Sequence, residues 1–115
     1  MSVFVETSIF SVKREKLFDG DEEFARFQQA LLTNPEQGAV IPGTGGLRKI
    51  RWAEPSRGKG KRGGLRVIYL HLESVGKFYL ITAYSKNDSD DLSADDKRLF
   101  KNMVERIQNE AQRNG

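Results

Sequence analysis

The sequence predicts an α+β fold, and three features carry that expectation. Residues 65–72 (LRVIYLHL) and 77–84 (KFYLITAY) are dense in β-branched and aromatic side chains and are separated only by ESVG at 73–76, the pattern of a β-hairpin. Residues 47–53 (LRKIRWA) alternate in side-chain type as a strand does, and would join that hairpin in a three-stranded antiparallel meander. Residues 19–33 and 93–112 instead repeat apolar side chains at three- and four-residue steps, the period of an amphipathic helix.

Taken in order, residues 2–6 (SVFVE) read as a short N-terminal strand, with Val3 and Val5 flanking Phe4. Thr7 or Ser8 can cap a short helical turn through Ile9, Val12 and Lys16. A firmer helix starts where Asp19 and Glu22 have capping-box spacing and runs to Thr33, burying Phe24, Phe27, Ala30 and Leu31 on one face. Asn34-Pro35 ends it, because proline disfavours a helical conformation in the residue before it.

Residues 36–46 are turn chemistry. The GTGG at 43–46 precedes a strand, whereas a phosphate-cradling loop follows a strand and opens a helix; it therefore reads as a tight lead-in to the strand at 47. Within that strand, alternation places Leu47, Lys49 and Arg51 on one face and Arg48, Ile50 and Trp52 on the other. Pro55 closes it. The connection at 54–64 is longer than the about two to five residues usual in hairpins; glycine-rich loops of that kind are functional or disordered, and this one is expected to be ordered by a phosphate. The lone His71, with no second histidine or cysteine near it, reads as a structural or surface residue, since metal sites and catalytic triads need partners. The acidic run 88–91 is no calcium loop, because Leu92-Ser93 interrupts the alternate ligands such a loop requires. Ser93 with Asp96 starts the last helix, whose expected buried face is Leu99, Phe100, Met103, Val104, Ile107 and Ala111.

With 115 residues, 37% apolar and 30% charged, the chain fits one globular domain spanning 1–115, able to bury a core without staples. It contains no cysteine, which excludes disulfides, thiolate metal sites and cysteine nucleophiles and fits a reducing cytoplasm. No apolar run approaches the roughly 18 residues of a membrane helix, and the N-terminus lacks a cationic leader, so a cytoplasmic protein without a membrane partner is expected. No cofactor or metal is expected.

The charge is concentrated. Between Arg48 and Arg66 stand eight cations, Arg48, Lys49, Arg51, Arg57, Lys59, Lys61, Arg62 and Arg66, against the single acid Glu54, a local +7 in a chain of net +3. Cations held close together repel one another unless they are solvated or meet an anion, and a polyanion is the natural partner. A solvated, flexible loop that keeps the protein soluble is the other reading of the same residues.

The blocks GTGGLRKIRW, GKGKRGGLRVIYL and FYLITAYSKND, in that order and spacing, resemble the HigB-like branch of the RelE superfamily of toxins from bacterial toxin-antitoxin pairs. The resemblance covers nearly the whole chain. It implies an α+β, microbial-ribonuclease-like fold and a small basic ribonuclease that cuts mRNA in the ribosomal A site. It also implies a cognate antitoxin, in this branch usually a helix-turn-helix protein that represses the operon at its operator DNA. The cation pair of the family motif falls on Lys49 and Arg51, the arginine opening the next strand on Arg66, and the basic residue after the last strand on Lys86. Where the best-known RelE pattern has an arginine after that lysine this chain has Asn87, and around the position of its tyrosine stands Leu92.

The chemistry so implied needs a base at the ribose 2′-OH, cations around the phosphate and a proton donor at the leaving 5′-oxygen. Arginine stays charged and suits a bidentate clamp on phosphate oxygens, the role expected of Arg51 and Arg66. Lysine serves as a base only when deprotonated, and crowding by two arginines favours its neutral form; Lys49 is the expected base and Lys86 a phosphate ligand or acid. Arg48, Arg57, Lys59, Lys61, Arg62 and Asn87 would grip the mRNA or ribosomal backbone, and Tyr84 would stack on a base or pack in the core. A toxin of similar scaffold that poisons DNA gyrase without catalysis, and a non-catalytic nucleic-acid-binding module, are the alternatives. Three convergent cations at Lys49, Arg51 and Arg66 argue for the nuclease, because gyrase poisoning needs no phosphate site.

Overall fold

The computed structural model describes residues 3–53, 64–86 and 91–114. Its elements in chain order are β1 (Val3–Glu6), α1 (Ser8–Leu17), α2 (Gly20–Thr33), β2 (Ala39–Val40), β3 (Arg48–Trp52), β4 (Leu65–Leu72), a 3₁₀ turn at Glu73–Val75, β5 (Lys77–Ser85) and α3 (Ala94–Asn114). The five strands form one sheet in the order β1-β5-β4-β3-β2. β3, β4 and β5 are the expected antiparallel meander, β2 adds an antiparallel edge, and β1 lies parallel to β5. The α+β reading therefore holds, with a two-residue edge strand that the turn-rich sequence at 36–46 does not announce.

Helices cover both faces of the sheet. On one side Phe10, Phe18, Phe24, Phe27 and Leu31 from α1, α2 and their junction meet Ile50, Val67, Tyr69, Phe78 and Leu80. On the other, Phe100 and Val104 of α3 meet Ile68, Leu70 and Ile81, with Ile41, Leu47 and Leu92 closing the cluster. A central strand buried on both faces has no polar side, which explains why β4 reads as an almost unbroken apolar run and is buried from Leu65 to Leu70.

Two local expectations are corrected and a third is extended. The short helical turn expected after Thr7, through Lys16, forms as a ten-residue helix. Its own apolar pattern is poor, with Ile9 and Val12 exposed, but Thr7 caps it by accepting the Phe10 N–H (3.0 Å) and donates to the Ile81 carbonyl (2.7 Å), tying the helix start to β5. The capping box at Asp19 and Glu22 does not form, since the Asp19 side chain makes no cap bond. Glu23, one residue further on, takes the reciprocal part: its carboxylate accepts the Asp19 N–H at 2.6 Å and the Trp52 indole N–H at 3.2 Å, joining the start of α2 to the end of β3. In α3, Leu99 is exposed; the buried stripe runs through Phe100, Met103, Val104 and Ile107, because Leu99 lies one step of about 100° off that face.

The GTGG segment is the expected tight lead-in. Thr44, fully buried, donates to the Ile41 carbonyl (2.6 Å) and accepts the Leu47 N–H (3.2 Å), while the Gly45 carbonyl accepts from Gln108 of α3 (3.3 Å). Gly45 has φ +79° and lies where an added Cβ would come 3.3 Å from Val104, so the turn packs against α3.

Candidate nucleic-acid interface

The register of the meander decides which cations meet. Arg51 of β3 pairs with Arg66 of β4, and Arg66 with Tyr84 of β5, so the three form one row across three strands. In the next row on the same face stand Lys49, Ile68 and Thr82. This face is the one that α3 covers further along, over Ile68 and Leu70. The basic row lies beyond that cover, at the end of the sheet from which residues 54–63 leave β3.

Each member has a distinct setting. Arg51 is exposed and Lys49 half-buried. Arg66 is only 6% exposed, with Nη1 at 3.5 Å from the Leu65 carbonyl, so its stem is built into the sheet and its orientation is fixed by packing. Tyr84 is half-buried and packs against the cluster beneath α3. Lys86 is exposed just past β5, and its backbone N–H reaches the Gly64 carbonyl at 3.4 Å. Lys49 Nζ lies 3.8 Å from Asp91 Oδ1.

Gly64 holds these strand ends together. It has φ +63°, and a Cβ there would stand 2.3 Å from the Trp52 carbonyl oxygen. Only glycine permits that approach of the start of β4 to the end of β3.

Lys49, Arg51, Arg66 and Tyr84 are thus brought together, with Lys86 at the same end of the sheet. Arg48 is not among them. It points to the α1/α2 side, opposite Tyr69, where Nη1 donates to the carbonyls of Glu36 (3.1 Å) and Gly38 (2.8 Å) and Nη2 lies 3.8 Å from the Glu36 carboxylate. Its guanidinium holds the loop after α2 against the sheet, assisted by Tyr69, whose hydroxyl donates to the Pro35 carbonyl (2.9 Å) and accepts the Gly38 N–H (3.1 Å). Burial raises the Tyr69 pKa above its ordinary value. Arg57, Lys59, Lys61, Arg62 and Asn87 lie outside the described residues. His71 stacks on Phe78 at 4.6 Å on the α1/α2 side, away from the basic row. Among the described residues no group of three or more histidine, cysteine or acidic side chains gathers as metal ligands. Sequence reading missed Asp91, whose acidic neighbours disguise it as solvated loop.

The row runs from surface to core: Arg51 is exposed, Lys49 and Tyr84 are half-buried and Arg66 is buried. Two grooves among the described residues, of about 370 Å³ beside Arg14 and Phe18 and about 500 Å³ beside Leu72 and Gln108, lie elsewhere. A cationic row that reaches solvent at Arg51, at a sheet end, suits a polymer backbone better than an enclosed small molecule.

A family model described as the RelE toxin of the RelE/RelB toxin-antitoxin system matches residues 22–114, from α2 to the end of α3. The chain belongs to the RelE toxin family. It is a RelE-type toxin of a toxin-antitoxin system. Solved structures share the RelE fold. A chain of the crystal structure of the intact E. coli RelBE toxin-antitoxin complex is 15% identical, with a TM-score of 0.55 and a match over 74% of this chain and 96% of that one. An arginine-to-alanine double mutant of E. coli toxin RelE in the free state is 16% identical, with a TM-score of 0.55 over 76% of this chain and 86% of that one. No helix among the described residues of this RelE-family chain is long and apolar enough to cross a membrane.

Proposed function

We propose that this RelE-family chain, of the HigB-like branch, is a ribosome-dependent mRNA endonuclease working as one cytoplasmic toxin domain over residues 1–115. The observation that carries the reading is the row Arg51–Arg66–Tyr84 across three strands, with Lys49 beside it on the same face. A phosphodiester laid on this row meets two guanidiniums whose forks match its oxygens.

In the reaction, Lys49 takes the proton of the ribose 2′-OH and the 2′-oxygen attacks the adjacent phosphorus in line. The P–O5′ bond breaks, leaving a 2′,3′-cyclic phosphate on one fragment and, after a proton reaches the leaving oxygen, a 5′-OH on the other. Arg51 and Arg66 clamp the non-bridging oxygens and stabilise the charge that develops there. Lys86, at the end of β5, serves as phosphate ligand or as the acid at O5′. Arg57, Lys59, Lys61, Arg62 and Asn87 extend the grip along the mRNA or ribosomal backbone, and no cofactor or metal takes part. Likeness to the RelBE complex supports a cognate antitoxin; the HigB-like resemblance suggests one of helix-turn-helix type that carries the pair to operator DNA, and charge complementarity an acidic or amphipathic segment over the basic face.

The test is mRNA cleavage in a reconstituted translation reaction, with and without ribosomes, mapping the 5′ ends produced by the wild type, Arg51→Ala and Arg66→Ala. Cuts in register with codons that need ribosomes and vanish in both variants are expected. Growth arrest without any cuts would move the assignment to gyrase or another non-catalytic target. Full cleavage by both variants would overturn the clamp.

A further inference from the structure

Lys49 and Asp91 lie far apart in sequence, on β3 and on the segment leading into α3, yet their charged atoms stand 3.8 Å apart at the edge of the basic row. Asp91 is not carried on a loose tail. Its Oδ1 also accepts the N–H of Leu92 at 2.8 Å, Leu92 is 9% exposed within the cluster beneath α3, and Ser93 caps α3 through the Asp96 N–H at 3.1 Å. The carboxylate is therefore delivered to Lys49 by a segment anchored in the core. It is also the outer partner, since the Asp91 side chain is 57% exposed against 27% for Lys49. A ligand arriving from solvent meets Asp91 first.

We propose that Asp91 belongs to the anion site as its internal competitor: in the free chain its carboxylate holds the place beside the Lys49 ammonium that the RNA backbone takes on binding, before Lys49 gives up its proton to act as base. The proposal rests on the nuclease reading for the identity of that anion. Binding exchanges one anion for another on Lys49, so an isolated phosphate gains little there. A backbone that engages Arg51 and Arg66 at the same time gains the contacts that Asp91 does not oppose. Asp91 thus tunes the site against lone small anions and toward a substrate held at several points.

A double-mutant cycle tests this, using a short fluorescein-labelled single-stranded RNA read by anisotropy at low and high salt. The four proteins are the wild type, Asp91→Asn, Lys49→Met and the double variant. Asparagine keeps an oxygen for the Leu92 N–H, and thermal unfolding verifies that each variant is folded. Asp91→Asn is expected to tighten RNA binding roughly two- to five-fold at low salt, the range of an exposed ion pair. That gain should shrink as salt screens the pair, and should be absent in the Lys49→Met background. No gain while Lys49→Met weakens binding would overturn the proposal alone. An equal gain with and without Lys49 would also overturn it, reducing Asp91 to a contributor to overall charge. If none of the four proteins binds RNA, or Lys49→Met leaves affinity unchanged, the proposal and the assignment of Lys49 to an RNA site fall together.

Discussion

Arg51 stands directly opposite Arg66 in the β3–β4 ladder, two cations in cross-strand register. Like charges so placed destabilise a sheet. A fold selected for stability alone would put an acid or a neutral side chain at one of the two positions. Arg51→Gln is therefore expected to raise stability to urea by a few tenths of a kcal/mol while lowering RNA cleavage at least tenfold. Equilibrium unfolding and a cleavage assay on the same preparation check both signs, and a variant that is both less stable and fully active would contradict the argument.

Gly64 should tolerate no side chain. Its φ of +63° and the 2.3 Å approach to the Trp52 carbonyl predict that Gly64→Ala costs about 2 kcal/mol or more. The variant should lose activity beyond its loss of stability, because β3 would shift against β4 and move Arg51 relative to Arg66. Activity measured well below the variant's melting temperature separates the two effects.

Tyr69 gives the fold an alkaline limit. Its pKa lies above the ordinary 10.0 because burial penalises the phenolate. The unfolded chain then ionises before the folded one, so the stabilisation is complete below about pH 10 and is lost as pH rises through the folded-state value. Tyr69→Phe removes the bonds to Pro35 and Gly38 and should cost about 1–2 kcal/mol at neutral pH, yet show a shallower decline above pH 10. Urea midpoints across pH 7–11 provide the comparison.

The fully buried Glu23 carboxylate joins α2 to the strand that carries Lys49 and Arg51. Glu23→Ala strands the Asp19 and Trp52 N–H groups and is expected to cost about 2–4 kcal/mol. Glu23→Gln, which retains one acceptor, should cost about half as much. Thermal unfolding with Trp52 fluorescence reports both the loss and whether the end of β3 has moved.

Most of the architecture was legible because its signals are local. The β4 and β5 runs, the Asn34-Pro35 stop and the Ser93 start all act within a few residues, and each of these elements stands close to where its sequence put it. Alternation alone separated Lys49 and Arg51 from Arg48. α1 was under-read because its stability comes from Phe10 in the core and from Thr7 bonded to β5, neither visible in its own weak periodicity. Asp91 was missed because an acid in an acidic run reads as solvated.

By itself the sequence determined the α+β class, the meander, the concentration of cations on it and the family resemblance, since these depend on residue type and short spacing. Only the tertiary structure decided which cations share a face and a row of the sheet. Register set Arg51 beside Arg66 and Tyr84, sent Arg48 to the opposite face to hold Glu36 and Gly38, and carried Asp91 to Lys49. Those are pairings between distant segments, fixed by how β3, β4, β5 and α3 pack together, and no local pattern encodes them.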